Sequence, residues 1–226
     1  VLNNRGTGSG GEESESELLD SDVAYFSQTG TPNNGGVGLS LANCTFENPC
    51  GPTDFSQTGV NTLNSLLPNT LMFFNGGTYN ALDATGSNPI TLNSGQGVNA
   101  RTADYSQAAT GSGRSVFNGA FILNTNNTLA NIILLPTAAT ASGTGVTDNN
   151  GTNDFIRGSQ IGNINNLYNV GVVISTNQLT ITNSVIFGNN RGIRADSGSV
   201  LFIQGSQINT VSPSGGTTGI SASNSN

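Results

Sequence analysis

The stretch "FIRGSQI" occupies residues 155–161, and "FIQGSQI" returns at 202–208 with one letter changed, 47 residues on. Anchored on the second apolar residue, the string generalises to apolar-x-[Asn/Gly]-x-x-apolar. It occurs at Leu129 to Leu134, Ile156 to Ile161, Ile181 to Ile186 and Ile203 to Ile208, with starts 27, 25 and 22 residues apart. A second motif, Gly followed by a β-branched residue, interleaves with it at Gly145-Val146, Gly171-Val172, Gly192-Ile193 and Gly219-Ile220. Two motifs that stay in step over four units mark a solenoid.

The chemistry of the unit says which solenoid. Runs such as "GVVIST", "LTITNSVI" and "VLFIQ" are rich in β-branched residues and are separated by Asn, Gly and Ser; no amphipathic stretch of helical length intervenes. About 22–27 residues per turn, at about 3.3 Å per strand residue, is enough for three short strands and three corners, one coil of a parallel β-helix. Counterparts in successive coils then lie about 4.8 Å apart, so like sits on like. Ile156, Ile181 and Ile203 are expected to form an interior column, with Ser159, Ser184 and Ser206 as a hydroxyl column beside it. Arg157, Thr182 and Gln204 should point outward. Asn131, Gly158, Asn183 and Gly205 fall where the backbone bends and a positive φ is expected. Each coil costs on the order of 35–40 kcal/mol of conformational entropy, which stacking on both neighbours must offset.

Composition excludes several classes. The 226 residues contain no Lys, His or Trp and carry a net charge of −7. There is no imidazole for a Ser-His-Asp relay and no basic cluster to neutralise nucleic-acid phosphates. Glu12, Glu13, Glu15, Glu17, Asp20 and Asp22 crowd into a Gly/Ser-rich stretch, so residues 1–23 read as a solvated acidic linker. The solenoid is expected over 24–226, with an entry or cap region at 24–80 and coils at 81–226, the last coil incomplete. No run is long and apolar enough to span a membrane, and Val1 to Gly8 is no signal peptide, which suggests a mature or excised segment. Cys44 and Cys50 can close a small disulfide loop in an oxidising compartment or stand as half-buried thiols. They cannot complete a zinc shell without His or further Cys unless carboxylates join them. No metal and no cofactor is expected.

Coils of unequal length must loop out their extra residues. "TDNNGTND" at 147–154 and "NTVSPSGGTTG" at 209–219 are the expected binding loops, with Asp148 and Asp154 in the first. Arg191, Arg194 and Asp196 are the densest charges of the repeat region, either a ligand-binding patch or an ion pair on a solvated edge. Asn43, Asn126 and Asn150 are glycosylation sequons only in a eukaryotic source. Beyond the linker no two carboxylates are nearer in sequence than six residues. In coil register Asp148 and Asp196 are interrupted by Ile174 and Ser175, so no carboxylate ladder of the kind a lyase or hydrolase needs is expected.

The front of the chain, with Glu47-Asn48-Pro49, Gly77-Thr78-Tyr79 and Gly95-Gln96, resembles the opening of many right-handed β-helix proteins, although Cys44 stands where their turn has Gly. Over residues 30–226 the chain resembles passenger or ectodomain segments of bacterial surface proteins of the autotransporter or inverse-autotransporter kind. That resemblance implies a right-handed parallel β-helix at the cell surface or secreted. Its expected work is non-catalytic, as an adhesin or stalk whose partner is a host or neighbouring-cell protein or glycan. A self-assembling filament subunit, stacking end to end, and a polysaccharide-active enzyme are the alternatives.

Overall fold

The computed structural model describes residues 23–31, 44–55, 66, 68–82, 86–149, 151–175, 178–211 and 218–222. The acidic segment 1–22, the sequons Asn43 and Asn150, Asp83 and the centre of the 209–219 loop lie outside the described residues. In chain order the strands are β1 (Val23–Thr31), β2 (Leu71–Asn75), β3 (Thr78–Ala81), β4 (Ile90–Thr91), β5 (Gly97–Arg101) and β6 (Val116–Gly119). There follow β7 (Phe121–Leu123), β8 (Thr128–Ala130), β9 (Ile133–Leu135), β10 (Thr144–Asp148), β11 (Asp154–Arg157) and β12 (Gln160–Ile161). The last are β13 (Tyr168–Ile174), β14 (Gln178–Thr182), β15 (Val185–Ala195), β16 (Val200–Gln204), β17 (Gln207–Thr210) and β18 (Thr218–Ala222).

These strands pair as a parallel β-helix. One sheet runs β1-β2-β5-β8-β11-β14-β16, each strand bonded to its counterpart a coil away. The second sheet is two faces joined by β15, whose first residues stack on β12 and β17 and whose last stack on β13 and β18. Each full coil thus has three strands. Inward-pointing residues form columns through the paired registers. Met72, Val98, Leu129, Ile156, Ile181 and Ile203 make the first. Ile90, Phe121, Val146, Val172, Ile193 and Ile220 make another, and contain every β-branched residue of the Gly motif.

The corners obey the same stacking. Asn131, Gly158, Asn183 and Gly205 have φ of 59°, 58°, 49° and 61°. Their alternation has a steric cause: a Cβ on Gly158 would lie 2.4 Å from Asn131 Oδ1, and one on Gly205 2.4 Å from Asn183 Oδ1. Each carboxamide fills the space that the glycine above it leaves. Asn69, Gly95, Asn126 and Asn153 are left-handed at a second corner, with φ of 67°, 76°, 57° and 62°. The serine column is a hydrogen-bonded ladder in which Ser159 N–H donates to Ser184 Oγ at 3.2 Å and Ser184 N–H to Ser206 Oγ at 3.0 Å. Cys44 and Cys50 are joined in a disulfide, which is compatible with a secreted protein.

Coil length departs from expectation once. Gly97 pairs with Thr128, 31 residues on, whereas Thr128 pairs with Phe155 and Phe155 with Thr180 at 27 and 25. The excess is the excursion between β5 and β6, which carries its own antiparallel bridge from Arg101 to Ala108.

Candidate functional site

The outer face of the seven-stranded sheet carries two rows. Leu71, Gly97, Thr128, Phe155, Thr180 and Phe202 form one, and Phe73, Asn99, Ala130, Arg157, Thr182 and Gln204 the other. Near the N-terminal end this face is covered. Tyr25, Phe73 and Tyr105 pack there with Phe46, and Tyr105 reaches back to donate its hydroxyl to Phe26 O at 2.8 Å. Toward the other end the face is bare, leaving Phe155 41% and Phe202 53% exposed.

At the boundary between the covered and bare parts three of the six basic residues gather. Arg101, at the end of β5, stacks on the Phe73 ring at 4.8 Å and donates Nε to Tyr105 O and Nη2 to Ser106 O, at 3.1 and 3.0 Å. Burial pulls its guanidinium below the usual arginine range; Arg157 acts in the same direction, while Tyr25 and Asp104 oppose it. Arg114, from the excursion, donates Nη1 to Gly158 O at 3.1 Å and so reaches the residue after Arg157. Burial lowers its pKa as well. Arg157 itself is exposed. A cavity of about 510 Å³ opens here, lined by Asn75, Arg101, Thr102, Gln107, Thr110 and Gly113 among others.

One carboxylate, Asp104, stands in this neighbourhood. It accepts hydrogen bonds from the Thr102 hydroxyl (2.6 Å), the Ser106 hydroxyl (2.8 Å) and Ser106 N–H (3.2 Å), which hold its pKa down to about 2. The arrangement is cationic, concave and flanked by exposed aromatic rings. It can hold a carboxylate by charge and a flat apolar ring face by stacking.

The residues singled out by sequence are placed elsewhere. Arg194 and Asp196 form an ion pair at 3.1 Å with both side chains over a third exposed, and Ser175 donates its hydroxyl to Asp196 at 3.3 Å. Arg191 lies three residues before Arg194 on β15, paired with Val170 and Thr218. Asp148 and Asp154, expected on a presented loop, are both fully buried inside the coil. The loop's ends turn inward because Asp148 occupies the interior register of Leu123 and Ile174, and Asp154 that of Leu179.

Sequence reasoning placed Arg157 on the outside but did not join it to Arg101 and Arg114, which belong to the one coil without the repeat. The alternation Phe155-Ile156-Arg157 was the available signal for the aromatic row, since the residue two before an outward Arg on a strand is also outward.

No protein-family model matches the chain, and no curated protein sequence matches it. Among solved structures the chain is similar to one titled "Crystal structure of pectate lyase Pel9A", at 15% identity and a TM-score of 0.37, covering 80% of this chain. The chain spans 61% of the length of that lyase. The structure it resembles is an enzyme, which contradicts the expectations of a non-catalytic adhesin or stalk and of a chain that is not an enzyme; both are withdrawn.

Proposed function

We propose that the protein is an extracellular polysaccharide-active β-helix, secreted or borne on a bacterial surface, that acts on an acidic glycan laid along the outer face of its seven-stranded sheet. The observation that supports this is the gathering of Arg101, Arg114 and Arg157 around a cavity beside exposed phenylalanines, on a chain whose net charge is −7. Phe155 and Phe202 are two coils apart in one row, about 10 Å along the axis. They offer two platforms for sugar rings, and Thr180, Thr182 and Gln204 between and beside them supply hydroxyls and amides.

The reaction that suits this set is β-elimination at a uronate. Arg114 and Arg157 pair with the carboxylate and acidify the adjoining C–H. Arg101, the most buried of the three and lowered in pKa, takes that proton while the glycosidic oxygen leaves the β carbon. Hydrolysis needs two facing carboxyl groups, and Asp104 has no such companion among the described residues of this face.

The test is incubation with polygalacturonate and other uronate polymers, reading the ultraviolet absorbance of the unsaturated product. The wild type should generate it, and Arg101→Lys and Arg157→Ala should each lose about 100-fold or more with circular dichroism unchanged. A protein that yields no unsaturated product and retains no polyuronate on a binding column refutes the reading.

A further inference from the structure

Asp148 ends β10 and Asp154 begins β11, so the two carboxyl groups face each other across the corner that joins these strands. Both are at 0% exposure. Asp154 Oδ1 accepts the Asn127 N–H at 2.6 Å, and the Asp154 side chain also hydrogen-bonds that of Asp148. Two carboxylates have no hydrogen to share. Such a bond needs one of the pair to be a carboxylic acid.

Nothing positive neutralises them. Leu123 from β7 and Ile174 from β13 flank Asp148, and Leu179 from β14 lies in register with Asp154. From the approach to β8 comes the Asn127 backbone, and at the corner Gly151 is packed so closely that an added Cβ would overlap Asn124 O and Asp154 Oδ2. No arginine from any of these elements faces the pair among the described residues. Arg194 and Asp196, two coils on from Asp148, are paired with one another at the surface. Like charges buried in contact cannot both ionise cheaply.

We propose that Asp148 and Asp154 form a proton-binding site, one proton shared between two carboxyl groups, and that this proton fastens the 148–154 corner. Because β11 departs from Asp154 and carries Phe155 and Arg157, the fastened corner also holds two residues of the glycan face in place; this second half rests on the function proposed above.

The sign of the pH dependence follows. Burial, with the Asp148 charge and hydrogen bond adding to it, raises the Asp154 pKa from 3.8 to about 7, while the Asn127 N–H opposes the shift. The folded state therefore holds a proton that the unfolded chain releases near 3.8. Stability from this pair is full below about 3.8, falls through the interval up to about 7, and is lost above it. Within that interval each pH unit lowers the folding constant by up to about tenfold.

The experiment is denaturant unfolding of the full chain across this pH range, for the wild type, Asp154→Asn and Asp148→Asn, with infrared detection of a buried carboxylic acid carbonyl in the wild type near pH 6. The proposal expects a falling stability profile, a carbonyl band that disappears above about pH 7, and a flattened profile in either amide variant. A profile flat from pH 4 to 7 without the band overturns it, and the band decides even if the variants fail to fold. Polyuronate retention read at the same pH values separates the two halves: retention that ignores the transition refutes the link to β11, and absence of retention at every pH refutes the proposed function while the stability result stands.

Discussion

The two halves of the coil are filled on different plans. From β1 to β7 the interior is an aromatic jigsaw: Phe74 lies within 5.0 Å, ring to ring, of Phe26, Phe55, Tyr79 and Phe117, one of them stacked and three edge to face. From β8 onward the interior is columns of Leu, Ile and Val with a serine ladder at their side, and no aromatic contact is shared between coils there. In the first half each residue has its own neighbours. In the second, each has copies of itself, so energy is distributed along columns and a local change is felt chiefly one coil up and one coil down.

That contrast can be broken by mutation, most strongly in the aromatic half. Phe74→Ala should cost about 3–5 kcal/mol in denaturant unfolding and loosen amide hydrogen exchange from β1 to β6, since four rings lose a partner. Ile181→Ala should cost about 2–5 kcal/mol, with exchange enhanced only in β11, β14 and β16. Uniform loosening of the whole rod by Ile181→Ala would erase the distinction.

Smaller effects sharpen it. Ser184→Ala removes the acceptor of Ser159 N–H and should cost about 1–3 kcal/mol. Gly158→Ala, at φ 58° and against Asn131 Oδ1, should cost about 1–3 kcal/mol. Adding Asn131→Gly should recover part of the loss, a coupling of about 0.5–3 kcal/mol that is absent if the carboxamide does not occupy the glycine's space. Least of all, Arg194→Ala should change stability by no more than about 1 kcal/mol, because the pair with Asp196 is half in water.

The same contrast explains what the sequence discloses. The fold was legible in the second half because stacking forces like residues into register: Ile156, Ile181 and Ile203 repeat for that reason, as do the left-handed Asn and Gly corners. The first half has the same backbone geometry but repeats nothing, since Phe74 and Phe117 are complementary in shape and not alike. The candidate site was hardly legible at all. Arg101 and Arg114 meet Arg157 through a 31-residue coil whose excursion has no counterpart elsewhere, and three arginines spread over 57 residues carry no pattern. Asp148 and Asp154 were read as surface acids because a Gly- and Asn-rich corner usually faces water. Their strand registers turn them inward, and a search for acids stacked between coils passes over two that meet within one.

The interleaving of Asn131, Gly158, Asn183 and Gly205 has a bearing on how such a rod can change length. An asparagine corner tolerates a glycine above it and excludes another asparagine, because the carboxamide already fills that volume. Deleting a single coil would set Asn131 against Asn183; deleting two would restore asparagine under glycine. The rod can therefore be shortened or lengthened only by an even number of coils, and the smallest inheritable module is a doublet. That is the interval at which "FIRGSQI" and "FIQGSQI" stand apart, each closing on a glycine corner.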